Sequence, residues 1–276
     1  MSPRRGTTGC APAHYAFIAA ACAAALLAPF DPRAALIPGA LFLIACFTAP
    51  FMTRVGFFLP VTSRGRSGRR AVSLTFDDGP DPATTPSLLG LLRRRGVTAT
   101  FFVTGERAAA HPDLVRLIRS HGHDIGNHTY HHSPLLMLRG SRHLEEEIRS
   151  AQAVLLELGI VPLAFRPPAG ITNPRLGPVL NGLGLFCVNF SRRARDAGNR
   201  RIGNLSRKIL ARVRPDDIVL LHDVAPGANF DAAKWLDEIG LLLDGLENRR
   251  IAVIPLADLI IRPTMGQAGG AGPFFC

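Results

Sequence analysis

The stretch LTFDDGPDP, Leu74 to Pro82, sets two adjacent carboxylates, Asp77 and Asp78, between an apolar run and a pair of turn signals. The residues before it, AVSLTF (Ala71 to Phe76), are short, apolar and rich in strand formers, so they read as a buried β-strand. Gly79-Pro80 and Asp81-Pro82 end that strand in a turn. Like charges side by side repel, and a surface turn needs only one aspartate to cap its backbone. At the C-terminal end of a parallel strand, by contrast, catalytic residues collect. The rest of the chain has to say which reading holds.

Downstream, short apolar runs alternate with helical patterns. Strands are expected near 71–76, 98–103, 122–126, 162–166, 185–190, 217–221 and 251–254. The clearest helix carries Leu144, Ile148, Ala151, Leu155 and Leu158 on one face, and Pro86 to Gly96 forms another that stops at its glycine. Repeated strand–helix units imply a parallel sheet or barrel. The expected fold is a distorted (β/α) barrel of about seven parallel strands over residues 71–262, followed by a flexible Gly-rich tail, 263–276.

The first sixty residues differ in kind. Two uncharged apolar runs, about 13–30 and 34–52, are separated only by Asp31-Pro32-Arg33. Each approaches the roughly 20 residues that cross a bilayer as a helix. They are expected to form a transmembrane hairpin; a signal peptide ending near Ala28 is the competing reading. Arg4 and Arg5 precede the pair, and Arg54, Arg64, Arg66, Arg69 and Arg70 follow it. Both flanks therefore prefer the cytoplasmic side, which puts the protein in the inner (cytoplasmic) membrane with its barrel facing the cytoplasm. Residues 61–70, polar and basic, read as a linker near lipid headgroups.

Composition narrows the partners. The chain has 276 residues, an apolar content of 47% and a net charge of +11 that is almost wholly Arg, the only lysines being Lys208 and Lys234. Such a balance suits a membrane surface or an anionic substrate. No nucleic-acid fold signature or basic stripe with interleaved aromatics occurs, so no nucleic-acid partner is expected. Cys10, Cys22, Cys46, Cys187 and Cys276 are scattered and form neither a disulfide framework nor a zinc-ligand pair.

The strand ends carry the chemistry. After the third strand, GNHTYHHS (Gly126 to Ser133) spaces His128 and His132 by four, which on a helical turn puts both imidazoles on one face, suited to a metal ion. Asp78 is the natural third ligand, leaving Asp77 free to accept a proton. Arg166 ends the fourth strand and can hold a carboxylate by a bidentate pair. His222 ends the sixth strand and can protonate a leaving group at neutral pH. Asp196, after the fifth strand, can orient that histidine or raise its pKa. His131, His111, His121, His123 and His143 are read as structural or exposed. Asp-Asp, HxxxH, Arg, Asp and His in order at five strand ends form a pattern suited to metal-assisted hydrolysis.

TFDDGP, HTYHH, RPPAG and LLHD together resemble four motifs of the polysaccharide deacetylase family, the NodB-homology or carbohydrate esterase family 4 domain, over roughly residues 70–260. The resemblance implies zinc or another divalent metal ion on Asp78, His128 and His132, and Asp77 as the base that activates water. It implies that Arg166 positions Asp77 and that His222 is the acid, with Asp196 behind it. It also places a backbone N–H of the RPPAG loop, at Ala169, on the oxyanion and Leu220 in the acetyl-methyl pocket. Two residues depart from the family pattern: Ala169 replaces an aromatic residue, and Gly198 and its neighbours replace a tryptophan. Both imply a more open site. The implied activity is deacetylation of an N-acetylated amino sugar, polymeric or lipid-linked. The competing class is a non-catalytic, membrane-anchored carbohydrate-binding barrel.

Overall fold

The computed structural model describes residues 11–133 and 135–267. Arg4, Arg5, Cys10, Cys276 and the tail beyond 267 lie outside the described residues. The strands are β1 (Val61–Thr62), β2 (Ala71–Asp77), β3 (Thr100–Val103), β4 (Asp124–Asn127), β5 (Ala164–Phe165), β6 (Phe186–Val188), β7 (Arg192–Arg193), β8 (Ile218–His222) and β9 (Ala252–Val253). All seven expected strands are present, and every strand pairing is parallel. The order is β1-β6-β5-β4-β3-β2-β8-β7, with β9 against the start of β2. The sheet curls into an open barrel. Between its two edges the chain itself crosses from β6 to β7, with Asn189 N–H donating to Thr62 O and Ser191 N–H to Ile218 O.

The period-2 geometry of β2 explains how one strand serves both core and site. Val72, Leu74 and Phe76 point outward into the apolar layer beneath the helices. Ser73, Thr75 and Asp77 alternate with them and face the barrel interior, all buried. The Ser73 hydroxyl donates to Ile254 O at 2.7 Å and Thr75 to Val219 O at 2.9 Å, which satisfies that inward polar column. β8 alternates likewise: Val219 and Leu221 join the outer layer, while Ile218 and Leu220 join the inner cluster with Phe102 and Val188. A one-residue slip of either strand would exchange these faces.

The helices are α1 (Pro12–Leu27), α2 (Leu36–Thr48), α3 (Thr85–Arg94), α4 (Gly105–Ala110), α5 (Pro112–Ser120), α6 (Ser141–Glu157), α7 (Leu176–Gly182), α8 (Leu205–Leu210), α9 (Ala232–Asn248) and α10 (Leu256–Ile260). α3, α5 and α9 bury the outer layer with Leu88, Leu92, Ile118, Trp235, Ile239 and Leu242. α10 closes the barrel floor with Leu256, Leu259 and Ile260.

Three expectations about the ends of the chain need correction. The N-terminal hairpin exists, with Phe17 edge-on to Phe42 at 5.6 Å, but its helices are 16 and 13 residues long. At 1.5 Å per residue they reach about 24 and about 20 Å, short of a hydrocarbon core of about 30 Å. No described helix is long and apolar enough to cross a membrane. The runs are broken early by the turn at Ala28–Phe30, by Asp31, whose carboxylate accepts from the N–H groups of Arg33 and Ala34, and by Pro50. The basic segment 61–70 is tied to the barrel through β1, through a bridge between Arg64 and Asp217, and through Asp216, which accepts from the N–H and the hydroxyl of Ser67. The start of the tail is also docked: Thr264 is buried, its carbonyl accepts from the N–H groups of Leu163 and Ala164, and Met265 bridges Pro162.

Candidate active site

Because the strands are parallel, their C-terminal ends open on one face, and the predicted residues gather there around a cavity of about 630 Å³. Asp77, Asp78, His128, His132, Ala169, Asp196, Leu220 and His222 all line it. Asp77 is the last residue of β2, and Asp78 follows with φ 73°, so the two carboxylates diverge. The turn beyond them is anchored by the buried Asp223 carboxyl, which accepts from the hydroxyls of Thr84 and Thr85, both at 2.7 Å. Burial pushes the Asp223 carboxyl up to about 7, against the pull of those two hydroxyls.

His128 and His132 do not occupy a helical turn, contrary to the spacing argument. They sit in an irregular loop in which Thr129 and His132 take φ values of 68° and 53°. Their convergence comes from tertiary contacts. Gly105 and Glu106, at the start of α4, donate their N–H groups to the carbonyls of Thr129 and Tyr130. Asn127 is fully buried; its amide donates to Ile148 O and Gln152 Oε1, and its Oδ1 accepts from Thr129 N–H. Glu147, on α6, holds the ring of His131 at 2.6 Å and accepts from its N–H. Asn127 and Glu147 escaped the sequence reading because an Asn and a Glu carry no spacing signal of their own.

The loop brings the Nε2 atoms of His128 and His132 within 3.4 and 3.3 Å of Asp78 Oδ1. Nδ1 of His128 lies 2.7 Å from Arg166 O, which fixes the ring and leaves Nε2 facing the carboxylate. Burial opposes ionisation of Asp78, but His128 and then His132 outweigh it and hold that carboxyl far below the usual range. Burial, then the neighbouring His128, pushes His132 down to about 4, so its ring is neutral near pH 7. Burial also disfavours a charged His128, but the carboxylates of Asp77 and Asp78 raise it. An ionised carboxylate and two imidazoles with ligand atoms all within 4.8 Å of one another fit a divalent ion of the zinc type.

Arg166 follows β5 and does not reach the barrel mouth; it is fully buried behind Asp77. Its Nη1 donates to Asp77 Oδ1 at 2.6 Å and to Thr75 Oγ1 at 2.7 Å, its Nε and Nη2 reach the carbonyls of Val188 and Asn189, and its guanidinium lies 4.1 Å above the Phe102 ring. The pair therefore holds Asp77 Oδ1 and leaves Oδ2 toward His128, 3.7 Å away.

On the opposite wall, His222 closes β8, and its Nδ1 lies 2.8 Å from Asp196 Oδ2. Asp196 follows the short strand β7, which the sequence reading did not separate from the preceding strand. Burial alone would lower the His222 pKa, but the Asp196 hydrogen bond and charge raise it to about 9. Asn199 ties the loops together by donating to the carbonyls of His222 and Val224. Ala169 is exposed at the cavity edge with φ 55°, and Leu220 lines the base. A Cβ on Gly198 would stand 3.8 Å from Asp78 Oδ2, so a large side chain there would wall in the site that is open here.

A parallel barrel mouth with an Asp-His-His set able to hold a metal ion, a buried Asp–Arg pair and an Asp-supported histidine defines a class of α/β hydrolases. The family model described as "Polysaccharide deacetylase" matches residues 64–188. The chain is similar to a chitooligosaccharide deacetylase of Azorhizobium caulinodans, 36% identical over 206 residues, covering 70% of this chain and 96% of that one. Among solved structures it resembles the Bc1960 peptidoglycan N-acetylglucosamine deacetylase (TM-score 0.68, 27% identity, 74% of this chain and 94% of the other). It also resembles a family 4 carbohydrate esterase from Streptomyces lividans (TM-score 0.60, 30% identity, 72% and 97%). The chain belongs to the polysaccharide deacetylase family and is an enzyme of its deacetylase class.

Proposed function

We propose that this protein is a metal-dependent hydrolase that removes the N-acetyl, or a similar N-acyl, group from amino sugars of a cell-envelope glycan or of a polyprenyl-phosphate-linked sugar. The observation that carries the reading is the convergence of Asp78, His128 and His132 on one point, with Asp77 and His222 lining the same cavity. Zinc or another divalent ion held there would supply Lewis acidity toward the amide carbonyl oxygen and make water more acidic. Asp77, fixed by Arg166, accepts the proton of the attacking water. His222, kept protonated by Asp196, delivers a proton to the departing amine as the C–N bond breaks. Acetate and a free amino sugar are the products. The N–H of Ala169, at the cavity edge, would donate to the oxyanion, and Leu220, which lines the same cavity, would pack on the acetyl methyl. A non-catalytic carbohydrate-binding role is not favoured, since each group that moves a proton or fits a metal is intact.

Acetate release from a panel of N-acetylated chitooligosaccharides, peptidoglycan fragments and lipid-linked sugars, before and after chelation, tests the reading. Full activity in the metal-stripped protein would overturn it. We also place the protein at the inner (cytoplasmic) membrane surface with its barrel on the cytoplasmic side. The support is the apolar hairpin, whose Leu36, Leu41 and Phe47 are exposed, beside a basic surface. Reporter fusions after Arg70 test the side; a strong periplasmic signal would reverse it.

A further inference from the structure

A second cavity, of about 970 Å³, opens beside the catalytic one, and Phe190, Arg193 and Arg195 line both. One wall is Phe51 to Val55, at the foot of the N-terminal hairpin; the other is β7, the loop after it and α8. Of its sixteen lining residues eight are Arg or Lys and none is Asp or Glu. Among the described residues only one of those eight cations, Arg192, pairs with a carboxylate, that of Asp217 at 3.1 Å. The catalytic cavity differs: Asp77, Asp78, Glu106 and Asp196 balance its cations. Cations crowded around one concavity without acids repel one another, and a bound anion relieves that repulsion. The crowding starts in the sequence, where Ser191 to Arg201, SRRARDAGNRR, carries five arginines and one aspartate.

We infer that this cavity is an anion subsite that takes the phosphate or diphosphate ester of a lipid-linked N-acetylated amino sugar while the acetamido group occupies the catalytic cavity. The inference rests on the deacetylase reading above. Three features point the same way. Guanidinium groups match phosphate oxygens in geometry and charge, and arginines supply seven of the eight cations. The anomeric carbon of an amino sugar is bonded to the carbon that bears the acetamido group. A phosphate ester at that position therefore needs a pocket adjoining the catalytic one, and Arg193 and Arg195 stand at the junction. Finally, the cavity rim is apolar on the hairpin side, where Phe51 and Met52 are 69% and 53% exposed. A lipid chain leaving the phosphate would run along that surface, for which a neutral glycan or a soluble sugar phosphate has no use.

The test is calorimetric binding of three probes to the full chain: N-acetylglucosamine 1-phosphate, its polyprenyl ester in detergent micelles, and neutral chitobiose. The variant is R207Q/R212Q, two exposed arginines of the cavity, one on α8 and one in the turn after it, and R93Q/R94Q on the outer face of α3 controls for charge loss. The wild type should bind both phosphate esters more tightly than chitobiose, the lipid ester most tightly. R207Q/R212Q should weaken both esters about tenfold and R93Q/R94Q neither. Equal binding of esters by wild type and R207Q/R212Q, or chitobiose binding as tightly as the esters, would overturn the subsite. Equal affinity for the soluble and lipid esters would overturn the lipid source. Displacement of the lipid ester by sugar-free phosphatidylglycerol vesicles would make the cavity a headgroup site and overturn its role in substrate recognition. Selective ester binding without acetate release from any acetylated sugar would leave the subsite standing and sink the deacetylase reading instead.

Discussion

Asp196→Asn isolates the acid side of the reaction. The substitution keeps the shape of the side chain 2.8 Å from His222 Nδ1 and removes its charge. Asp196 supplies the two leading causes that lift His222 to about 9; burial, which remains, acts in the opposite direction. Without that carboxylate the imidazole should fall toward its ordinary value of about 6.5, with burial lowering it and the Asp78 and Asp77 charges still raising it. At pH 8 a group with a pKa of about 9 is about nine-tenths protonated, and one of about 6.5 is about 3% protonated, a difference of about thirtyfold. The sign follows from the role: an acid must hold its proton, so activity is lost as pH rises through the pKa. The wild type should therefore keep its activity up to about pH 9, and D196N should lose it from about pH 6.5 upward. Near pH 6 the two proteins should converge to within a few-fold. Acetate release measured from pH 5 to 10 separates the curves. An unmoved alkaline limb would mean that His222 is not the acid, and an equal loss at every pH would mean that Asp196 only holds the loop in place.

The neighbouring carboxylates should separate cleanly: Asp77→Asn should retain metal and lose about 10²–10⁴-fold in kcat, whereas Asp78→Asn should lose metal first, as read by elemental analysis of the purified proteins. His128→Ala should lose metal and activity together, and added zinc at ordinary excess should not restore wild-type turnover. Arg166→Met leaves the buried Asp77 carboxylate without its partner and should cost about 3–5 kcal/mol in denaturant unfolding; an unchanged midpoint would show that the pair is not a structural element. Gly105→Ala puts a Cβ 2.5 Å from the Tyr130 ring and 2.8 Å from Ala151 Cα. It should destabilise by about 1–3 kcal/mol and weaken metal affinity, because Tyr130 lies between the two histidine ligands.

Much of the barrel was legible because its signals are local. A buried strand ending in turn residues announces itself within ten residues, and seven of the nine strands are legible that way. The same local logic put Asp77 and Asp78 at a strand end and paired His128 with His132. It then failed on the geometry: spacing by four suggests a helix, but the loop is shaped by α4 amides, Asn127 and Glu147, none of which spacing can reveal. The strands β1, Val61–Thr62 at the head of a basic segment, and β7, Arg192–Arg193, lie outside any apolar run and so leave no strand signal. Apolar length likewise overstated the N-terminal helices, which Asp31 and Pro50 cut short.

By itself the sequence determined which residues could do chemistry and the order in which strand ends deliver them, because residue type and periodicity belong to neighbouring positions. Only the tertiary structure decided that Arg166 is buried against Asp77 rather than open to substrate, and that Asp196 reaches His222. It alone assembles a basic cavity from the hairpin foot, β7 and α8. Each of these depends on residues 26 to 161 positions apart, and their meeting is set by the parallel closure of the sheet, which sums many weak pairings that no single stretch of chain contains.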